Sequence, residues 1–186
     1  MKMRVYEFGE TILRQRSRAL THAEIISKDT QQLVVGMRDL LLRYNAGVAI
    51  AAPQVGIDAQ VVVVAVRPTE HRPQVENFDL VMINPEITEA FGKRRQIWEG
   101  CLSTGENGLF GKTLRYRKVK VKYYDEAGAV HTQTFDGLMA QIAQHEVDHL
   151  NGLLFVDRVK DSRTYVTKKQ YIRMLKTDTT GTMGTT

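Results

Sequence analysis

The sequence is poor in cysteine, with Cys101 alone among 186 residues. A single cysteine cannot close an internal disulfide, so a scaffold held together by disulfides is excluded. Long apolar runs are also missing, since no stretch approaches the roughly 18 apolar residues that a membrane-spanning helix needs. The first residues are not followed by the apolar segment of a secretory signal peptide. These absences predict a cytoplasmic protein that does not enter the membrane.

The charge of the chain is moderately positive, with 26 lysine and arginine residues against 21 acidic residues and a formal net charge of +5. The basic residues concentrate in two segments, 112–122 and 158–176. Such runs are usually solvated surfaces, and we favour that interpretation over a contact with RNA. Nothing in the pattern indicates a DNA partner.

Hydrophobic periodicity and turn residues predict an α+β fold. Ser27 can cap a helix to about Tyr44, and Asp136 can cap a helix over 138–150 that Gly152 ends. The predicted strands are 61–66, 80–84 (ended by Pro85), 97–103, 119–124 and 130–135, with a loop over 105–111 and a last helix over 165–175. We predict one domain over 1–176, with short, mostly antiparallel strands around the central helix 138–150, and a disordered tail over 177–186.

This central helix contains an HExxH motif, His145-Glu146-Val147-Asp148-His149. Its histidines are four residues apart, so both imidazoles project from one face and can bind one cation. Glu146 lies one position round the helix, where its carboxylate can reach a metal-bound water without being a ligand. Three fixed positions also coincide by chance, and a catalytic site needs a third protein ligand. The motif alone therefore leaves the metal site open.

Three segments of the chain, in order, resemble the peptide deformylase family. They are Gly47-Val48-Ala49-Ile50-Ala51-Ala52-Pro53-Gln54, Glu99-Gly100-Cys101-Leu102-Ser103 and Gln144-His145-Glu146-Val147-Asp148-His149-Leu150-Asn151-Gly152. Residues 81–86 and the hairpin 118–135 are also similar to that family, so the resemblance covers roughly residues 10–158. Three motifs in the right order are far more specific than HExxH alone.

The resemblance implies a metallohydrolase that acts on a linear amide. Cys101, as thiolate, would bind one divalent metal ion together with His145 and His149. Fe(II) is implied in the cell, with Zn(II), Ni(II) or Co(II) as substitutes, and thiolate with two imidazoles suits either iron or zinc. The family therefore supplies the third ligand that the helix motif lacks.

The resemblance also implies roles in the reaction. Glu146 would be the general base and then the general acid. The side-chain amide of Gln54 and the backbone N–H of Leu102 would donate hydrogen bonds to the oxyanion that forms as water attacks the formyl carbon.

The implied substrate is the N-formylmethionine end of a nascent polypeptide, hydrolysed to formate and a free amine. The peptide would lie extended beside residues 47–51 as an added strand. The predicted substrate-binding residues, which include walls for the methionine side chain, are Gly47, Val48, Ala49, Ile50, Leu138 and Ile142, with His145 beside them. For the apolar members, ordinary core packing is the competing interpretation.

The sequence departs from the family pattern at a few positions. Ala49 replaces a second glycine, and its methyl group can narrow the peptide groove. Residues 104–114 lack the usual prolines and form a slightly longer loop, and Gln141 stands where a longer basic or an apolar residue is frequent. These changes concern substrate preference and turnover rather than the type of reaction.

Other functions remain open at this stage. One is a divergent paralogue acting on another N-formyl or N-acyl substrate, and another is an HExxH metallopeptidase, which is disfavoured because no histidine follows His149. A third is a catalytically silent, metal-binding protein docked on the ribosome, for which the basic segment 158–176 would be the contact.

Polar residues around the motifs receive weaker predictions. Glu99 either pairs with Arg115 behind the site or forms an exposed charge pair. Asp148 supports the site or is a surface charge, not a ligand. His71 and His131 are predicted to face solvent.

Overall fold

The structure, a computed structural model, describes residues 3–44, 47–70 and 73–180. Within these ranges the helices are α1 (His22–Ile25), α2 (Lys28–Leu42), α3 (Gly137–Leu150), α4 (Phe155–Arg158) and α5 (Lys168–Thr180). The strands are β1 (Ala49–Ala51), β2 (Val61–Val66), β3 (Phe78–Gly100), β4 (Leu109–Tyr124), β5 (Val130–Asp136) and β6 (Val166–Thr167). Short 3-10 helices span Thr11–Arg14, Ala52–Val55, Leu102–Thr104 and Ser162–Thr164.

These strands form a sheet in the order β1-β2-β3-β4-β5, with β6 paired to the start of β4. Each of these strand pairs is antiparallel. The predicted α+β class with mostly antiparallel strands is therefore confirmed. The HExxH-bearing α3 contacts β1, β3, β4 and β5.

β2 is buried on both faces of the sheet, which explains its uninterrupted apolar sequence. Side chains alternate along a strand, so Val61, Val63 and Ala65 pack with the residues of α2. Val62, Val64 and Val66 pack on the other face with the residues of α3. The sheet thus lies between α2 and α3, and the site described below forms on the α3 side.

α2 begins as the sequence predicts and ends earlier. The Ser27 side chain accepts a hydrogen bond from the backbone N–H of Thr30, and the helix ends at Leu42. Tyr44, the predicted end of the helix, follows it instead and is 39% exposed.

β3 is far longer than predicted, because Pro85 does not end it. The pairing of β3 with β4 shifts register between Ile83 and Glu86, and Asn84 in this interval has a positive φ of 50°. The N–H of Asn84 faces β2 rather than β4 and donates to the carbonyl oxygen of Gln60, the residue before β2. A bulge is where a strand tolerates a residue without an N–H, so the chain passes Pro85 and remains a strand to Gly100.

The connection from β3 to β4 also differs from the prediction. The expected strand 97–103 ends at Gly100, and Leu102–Thr104 forms a 3-10 turn instead. The expected loop 105–111 is shorter, because Leu109 and Phe110 pair with β6 and so begin β4. Cys101 is therefore the last extended residue before a tight turn.

The start of α3 differs in part from the prediction. Asp136 occupies the N-cap position, but its side chain makes no capping hydrogen bond. Its carboxylate pairs instead with Arg117 and Lys118, each at 3.1 Å. At the other end, Gly152 has a φ of 72°, and a Cβ there would lie 2.6 Å from the carbonyl oxygen of Arg14. Only glycine fits at this helix stop.

The last helix, α5, begins later than predicted and runs further. It includes residues 177–180, which were expected to belong to a disordered tail, while residues 181–186 lie outside the described part of the chain. That residues 1–176 form one domain stays a prediction. Among the described helices, none is long and apolar enough to cross a membrane.

Candidate active site

Three potential metal ligands meet where the end of β3 faces α3. Cys101 follows the last residue of β3, and His145 and His149 lie one turn apart on α3. One ligand atom from each of the three lies within 4.8 Å of the others. Sγ of Cys101 is 3.2 Å from Nε2 of His149. The fold thus brings together the three residues predicted as ligands, although Cys101 is more than forty positions from either histidine in the sequence.

The donor set fits a divalent metal ion. Bonds of about 2.3 Å to sulfur and 2.0–2.1 Å to nitrogen in a tetrahedral site place such ligand atoms about 3.5 Å apart, close to the observed contact. Nδ1 of His145 lies 3.2 Å from a carboxylate oxygen of Glu99, which leaves Nε2 of this ring available as a ligand. Neither the chemistry of the three atoms nor their spacing conflicts with the predicted metal.

Glu99 and Arg115 form a buried ion pair behind the histidine. Nε and Nη2 of Arg115 donate to the two carboxylate oxygens at 2.7 and 3.0 Å. Burial opposes ionisation of Glu99, but hydrogen bonds from His145 and Arg115 hold its pKa at about 2. Of the two predicted alternatives, the pair behind the site is correct and the exposed pair is wrong.

Asp148 continues this network on the far side of Arg115. Nη1 of Arg115 donates to its carboxylate at 2.6 Å, and Nε of Arg158 donates to the same oxygen at 3.0 Å. Asp148 is 6% exposed, so it supports the site from within rather than being a surface charge. The HExxH helix is thereby bonded to β4 and α4 next to the face that carries His145 and His149.

The two imidazoles have opposite pKa shifts. Burial lowers the pKa of His149 well below its ordinary value, and His145 adds to this effect. Burial acts on His145 in the same direction, but hydrogen bonds with Cys101 and Glu99 outweigh it and hold its pKa well above the ordinary value. A metal binds neutral imidazole, so metal binding at either ring would compete with protonation of that ring.

Glu146 is buried beside these ligands, with 3% exposure. Its Oε2 has no hydrogen-bond partner within the described residues. Burial is the main cause that raises its pKa to about 7, while His145 lowers it and Glu99 raises it further. A carboxyl with this pKa gains and loses a proton readily near neutral pH, which is the requirement for general acid–base catalysis.

The side-chain amide of Gln54 faces Sγ of Cys101. Its Oε1 accepts from the backbone N–H of Ala51 at 2.9 Å, which fixes the orientation of the group. Its Nε2 donates to Oγ of Ser103 at 3.1 Å and approaches Sγ of Cys101 at 3.4 Å. The N–H of Leu102 lies in the first turn of its 3-10 helix and has no partner inside that helix. Both predicted oxyanion donors are therefore adjacent to Cys101.

The segment predicted to bind the peptide divides between the two faces of the sheet. Ile50 is fully buried in the cluster around α2, so its side chain faces away from α3. Ala49 packs in the cluster on the α3 face, and Val48 lies partly buried against that cluster. Gly47 is half-buried, and a Cβ there would lie 2.7 Å from the Leu41 side chain. Only the backbone of Ile50 can therefore serve the groove.

On α3 the predicted wall residues also differ in environment. Ile142 is 3% exposed and belongs to the core cluster, whereas Leu138 is 38% exposed. Gln141 lies between them and donates from Nε2 to the carbonyl oxygen of Trp98 at 2.9 Å. The assignments of all these residues to a substrate stay predictions.

Some residues of the site were missed by sequence reasoning. Gln144 bonds both backbone groups of Tyr116 on β4, and Ser103 holds Gln54. The ring of Phe155 packs 6.4 Å from that of His145. The first two belong to the motifs quoted above, so their positions were a usable signal, whereas Phe155 carries no local pattern.

Two histidines were predicted to face solvent. His131 is exposed, as expected, but its Nε2 pairs with a carboxylate oxygen of Asp125 at 2.6 Å and its ring stacks on Tyr123. It therefore has partners that its spacing did not reveal. His71 lies outside the described residues.

The sequence of the whole chain was compared with protein families and with known proteins. The model of the polypeptide deformylase family matches residues 2–165. A peptide deformylase from Leptospira biflexa is 37% identical over 166 residues, covering 87% of this chain and 90% of the relative. One from Aquifex aeolicus is 40% identical over 154 residues, covering 82% and 86%.

Solved structures give the same result. The crystal structure of a class I type b peptide deformylase from Acinetobacter baumannii, with Met-Ala-Ser bound, is 40% identical with a TM-score of 0.79, covering 86% of this chain and 99% of that one. The peptide deformylase from Thermotoga maritima is 33% identical with a TM-score of 0.74, covering 87% and 99%. The matched region includes the three sequence motifs and the ligand cluster, and this chain belongs to the peptide deformylase family.

Proposed function

We propose that this chain removes the formyl group from N-formylmethionyl nascent peptides at the cluster of Cys101, His145 and His149, giving formate and a free N-terminus. The chain is a hydrolase that acts on N-formyl peptides, and its family is metal-dependent. The observation that carries the assignment of residues is the convergence of the three ligand atoms within 4.8 Å, beside a buried glutamate.

Cys101, His145 and His149 would hold a divalent ion, which would supply a Lewis acid for the formyl carbonyl and for the attacking water. Thiolate and imidazole ligands suit Fe(II) and Zn(II) alike. We assign Fe(II) as the metal in the cell and Zn(II), Ni(II) or Co(II) as substitutes. Glu99 holds the His145 ring in one orientation through Nδ1, and Arg115 in turn holds Glu99.

Glu146 moves the proton. As general base it takes a proton from the attacking water, and as general acid it gives that proton to the amine nitrogen when the C–N bond breaks. Its buried position and the pKa of about 7 support both roles, since neither protonation state is strongly disfavoured.

Gln54 and Leu102 stabilise the negative charge that develops on the formyl oxygen. The Gln54 amide is already oriented by its bond from Ala51 and aimed past Sγ of Cys101. The N–H of Leu102 joins it from the first turn of the 3-10 helix. Donors fixed before the reaction cost no reorganisation, which is why such pairs contribute strongly to rate.

The peptide lies extended along residues 47–51. β1 is at the end of the described strand order, so its free edge can bond a peptide as an added strand. The relative from Acinetobacter baumannii was crystallised with Met-Ala-Ser bound, a sequence that begins with the proposed first residue. The space for the methionine side chain is lined by Val48, Leu138 and the ring carbons of His145. Ala49 and Ile142 lie beneath these residues.

The catalytically silent alternative is not favoured. A protein that only binds metal has no need for a buried glutamate with an unpaired oxygen, whose burial is unfavourable. The divergent-paralogue alternative changes the substrate and not the chemistry.

We further propose that the protein acts in the cytoplasm, where nascent chains emerge. We also propose that the basic face of α5 contacts the ribosome. Lys168, Lys169, Arg173 and Lys176 line an open cleft on this helix. A contact with ribosomal RNA must weaken steeply with salt, so co-sedimentation with ribosomes that is flat between low and high salt removes the assignment.

The function is tested by measuring formate release from formyl-Met-Ala-Ser with metal-loaded protein and its Glu146→Gln variant. We expect activity in the parent and a loss of about 10²–10⁴-fold in the variant at equal metal content. Glu76→Gln makes the same change at an exposed position and should retain full activity. Equal activity in both variants would contradict the role of Glu146, and an inactive, fully metallated parent would contradict the substrate.

A further inference from the structure

Gln141 is a polar residue on the face of α3 that also carries Leu138 and His145. It lies one turn before His145 and three residues after Leu138, so the three side chains share one face of the helix. Leu138 is 38% exposed, and Gln141 and His145 are only partly buried. This face is therefore open to a ligand rather than filled by the core.

The orientation of the Gln141 amide follows from its one hydrogen bond. Its nitrogen donates to the carbonyl oxygen of Trp98 at 2.9 Å. A carbonyl can only accept, so the nitrogen must face Trp98 and Oε1 must face away from it. Within the described ranges no group donates to Oε1. Gln141 thus carries an oriented, unpaired acceptor one helical turn along α3 from His145.

We infer that Gln141 is a specificity-determining residue, which favours an unbranched first side chain ending in a hydrogen-bond donor, such as glutamine. This inference rests on the proposed function and concerns the side chain next to the formylated nitrogen. Glutamine has nearly the length of methionine, but its terminal NH₂ can donate to Oε1, whereas a thioether cannot. A partly buried acceptor that meets a thioether gives up water without a new partner.

The chemistry at the formyl group stays the same. Water adds to the formyl carbon, the C–N bond breaks, and the released amine takes up the proton that the water lost. Gln141 acts only on the relative rates of competing substrates, because its contact lies on the side chain and not on the reacting atoms.

The test compares kcat/KM for formyl-Met-Ala-Ser, formyl-Gln-Ala-Ser and formyl-Glu-Ala-Ser. The parent protein should favour the glutamine peptide over the glutamate peptide by about 10-fold or more, because the two have the same shape but a carboxylate has no N–H to donate. In Gln141→Met the ratio of glutamine to methionine peptide should fall by about 10-fold, mainly through a higher KM for the glutamine peptide.

Gln96→Met provides the matched control, since it makes the same substitution at an exposed position of β3 and should leave all ratios unchanged. An unchanged ratio in fully metallated Gln141→Met, or equal rates for the glutamine and glutamate peptides in the parent, overturns the inference alone. The comparison within the parent needs no variant and so does not depend on how a variant folds. If none of the three peptides is hydrolysed, the proposed function fails together with the inference.

Discussion

At the scale of single residues, Cys101 has contacts on both sides of its sulfur. Sγ faces Nε2 of His149 and the amide nitrogen of Gln54, so it lies between a proposed ligand and a proposed oxyanion donor. A serine hydroxyl fits the same space but is a poor ligand for the metals that thiolate binds well.

We therefore expect Cys101→Ser to weaken metal affinity by at least about 100-fold, since even residues that only support a ligand cost 10–100-fold. Metal content after dialysis against a competing chelator measures this loss. His131→Ala removes an exposed imidazole away from the cluster and should leave the metal content unchanged. Full metal occupancy in Cys101→Ser would be incompatible with the proposed ligand set.

Gln54→Ala should separate catalysis from metal binding. Removing one oxyanion donor typically lowers turnover by about 10²–10³-fold, and we expect that loss in kcat with metal content unchanged. The matched substitution Gln32→Ala, at an exposed position of α2, should have no effect on kcat. A rise in KM without a change in kcat would show that Gln54 holds the substrate and does not stabilise the transition state.

At the scale of elements, β4 offers two arginines in contrasting environments. Arg115 is buried and bonds Glu99 and Asp148, while Arg117, two residues along, forms an exposed pair with Asp136. Breaking a buried pair leaves uncompensated charges, so Arg115→Met should lower the free energy of unfolding by about 3–5 kcal/mol. Arg117→Met should change it far less. Urea unfolding of the metal-free proteins measures both, and equal effects would show that burial does not control the strength of these pairs.

The elements that the sequence predicts well are those with a complete local pattern. Alternation of Val119, Val121 and Tyr123 with polar residues is a sufficient signal for part of β4, and the uniform apolar run of β2 for a strand covered on both faces. Pro85 was misleading, because whether a proline ends a strand depends on a bulge that involves Asn84 and the distant Gln60. The side chain of Asp136 likewise binds two cations of the neighbouring strand in preference to its own helix.

The proximity of the three proposed ligands was predictable because HExxH spacing fixes two imidazoles on a helix face, and the resemblance supplied Cys101. The sequence could not show to which face of the sheet each side chain of β1 points. Ile50 and Ala49 are adjacent, yet the pleat sends Ile50 to the α2 side and Ala49 to the α3 side, and this depends on the register of β1 against β2. The burial of Glu99 also depends on the packing of β4 against α3.

At the scale of the whole molecule, the proposed site exists only in the folded chain. Gln54, Cys101 and His145 come from the segment after β1, the end of β3 and α3, and the sheet between α2 and α3 holds them together. Because no such cluster forms in an unfolded chain, metal binding must stabilise the fold, by about 2.7 kcal/mol when free metal exceeds Kd 100-fold.

The central claim is that one metal ion, bound by Cys101, His145 and His149, is required for deformylation. The most direct test is to add Fe(II) or Ni(II) stepwise to metal-free protein without oxygen and to follow formate release from formyl-Met-Ala-Ser. We predict that activity is absent without metal and rises linearly to a plateau at one ion per chain, with no rise in Cys101→Ser under the same conditions. Activity in the metal-free protein, or a plateau that Cys101→Ser also reaches, would contradict the claim.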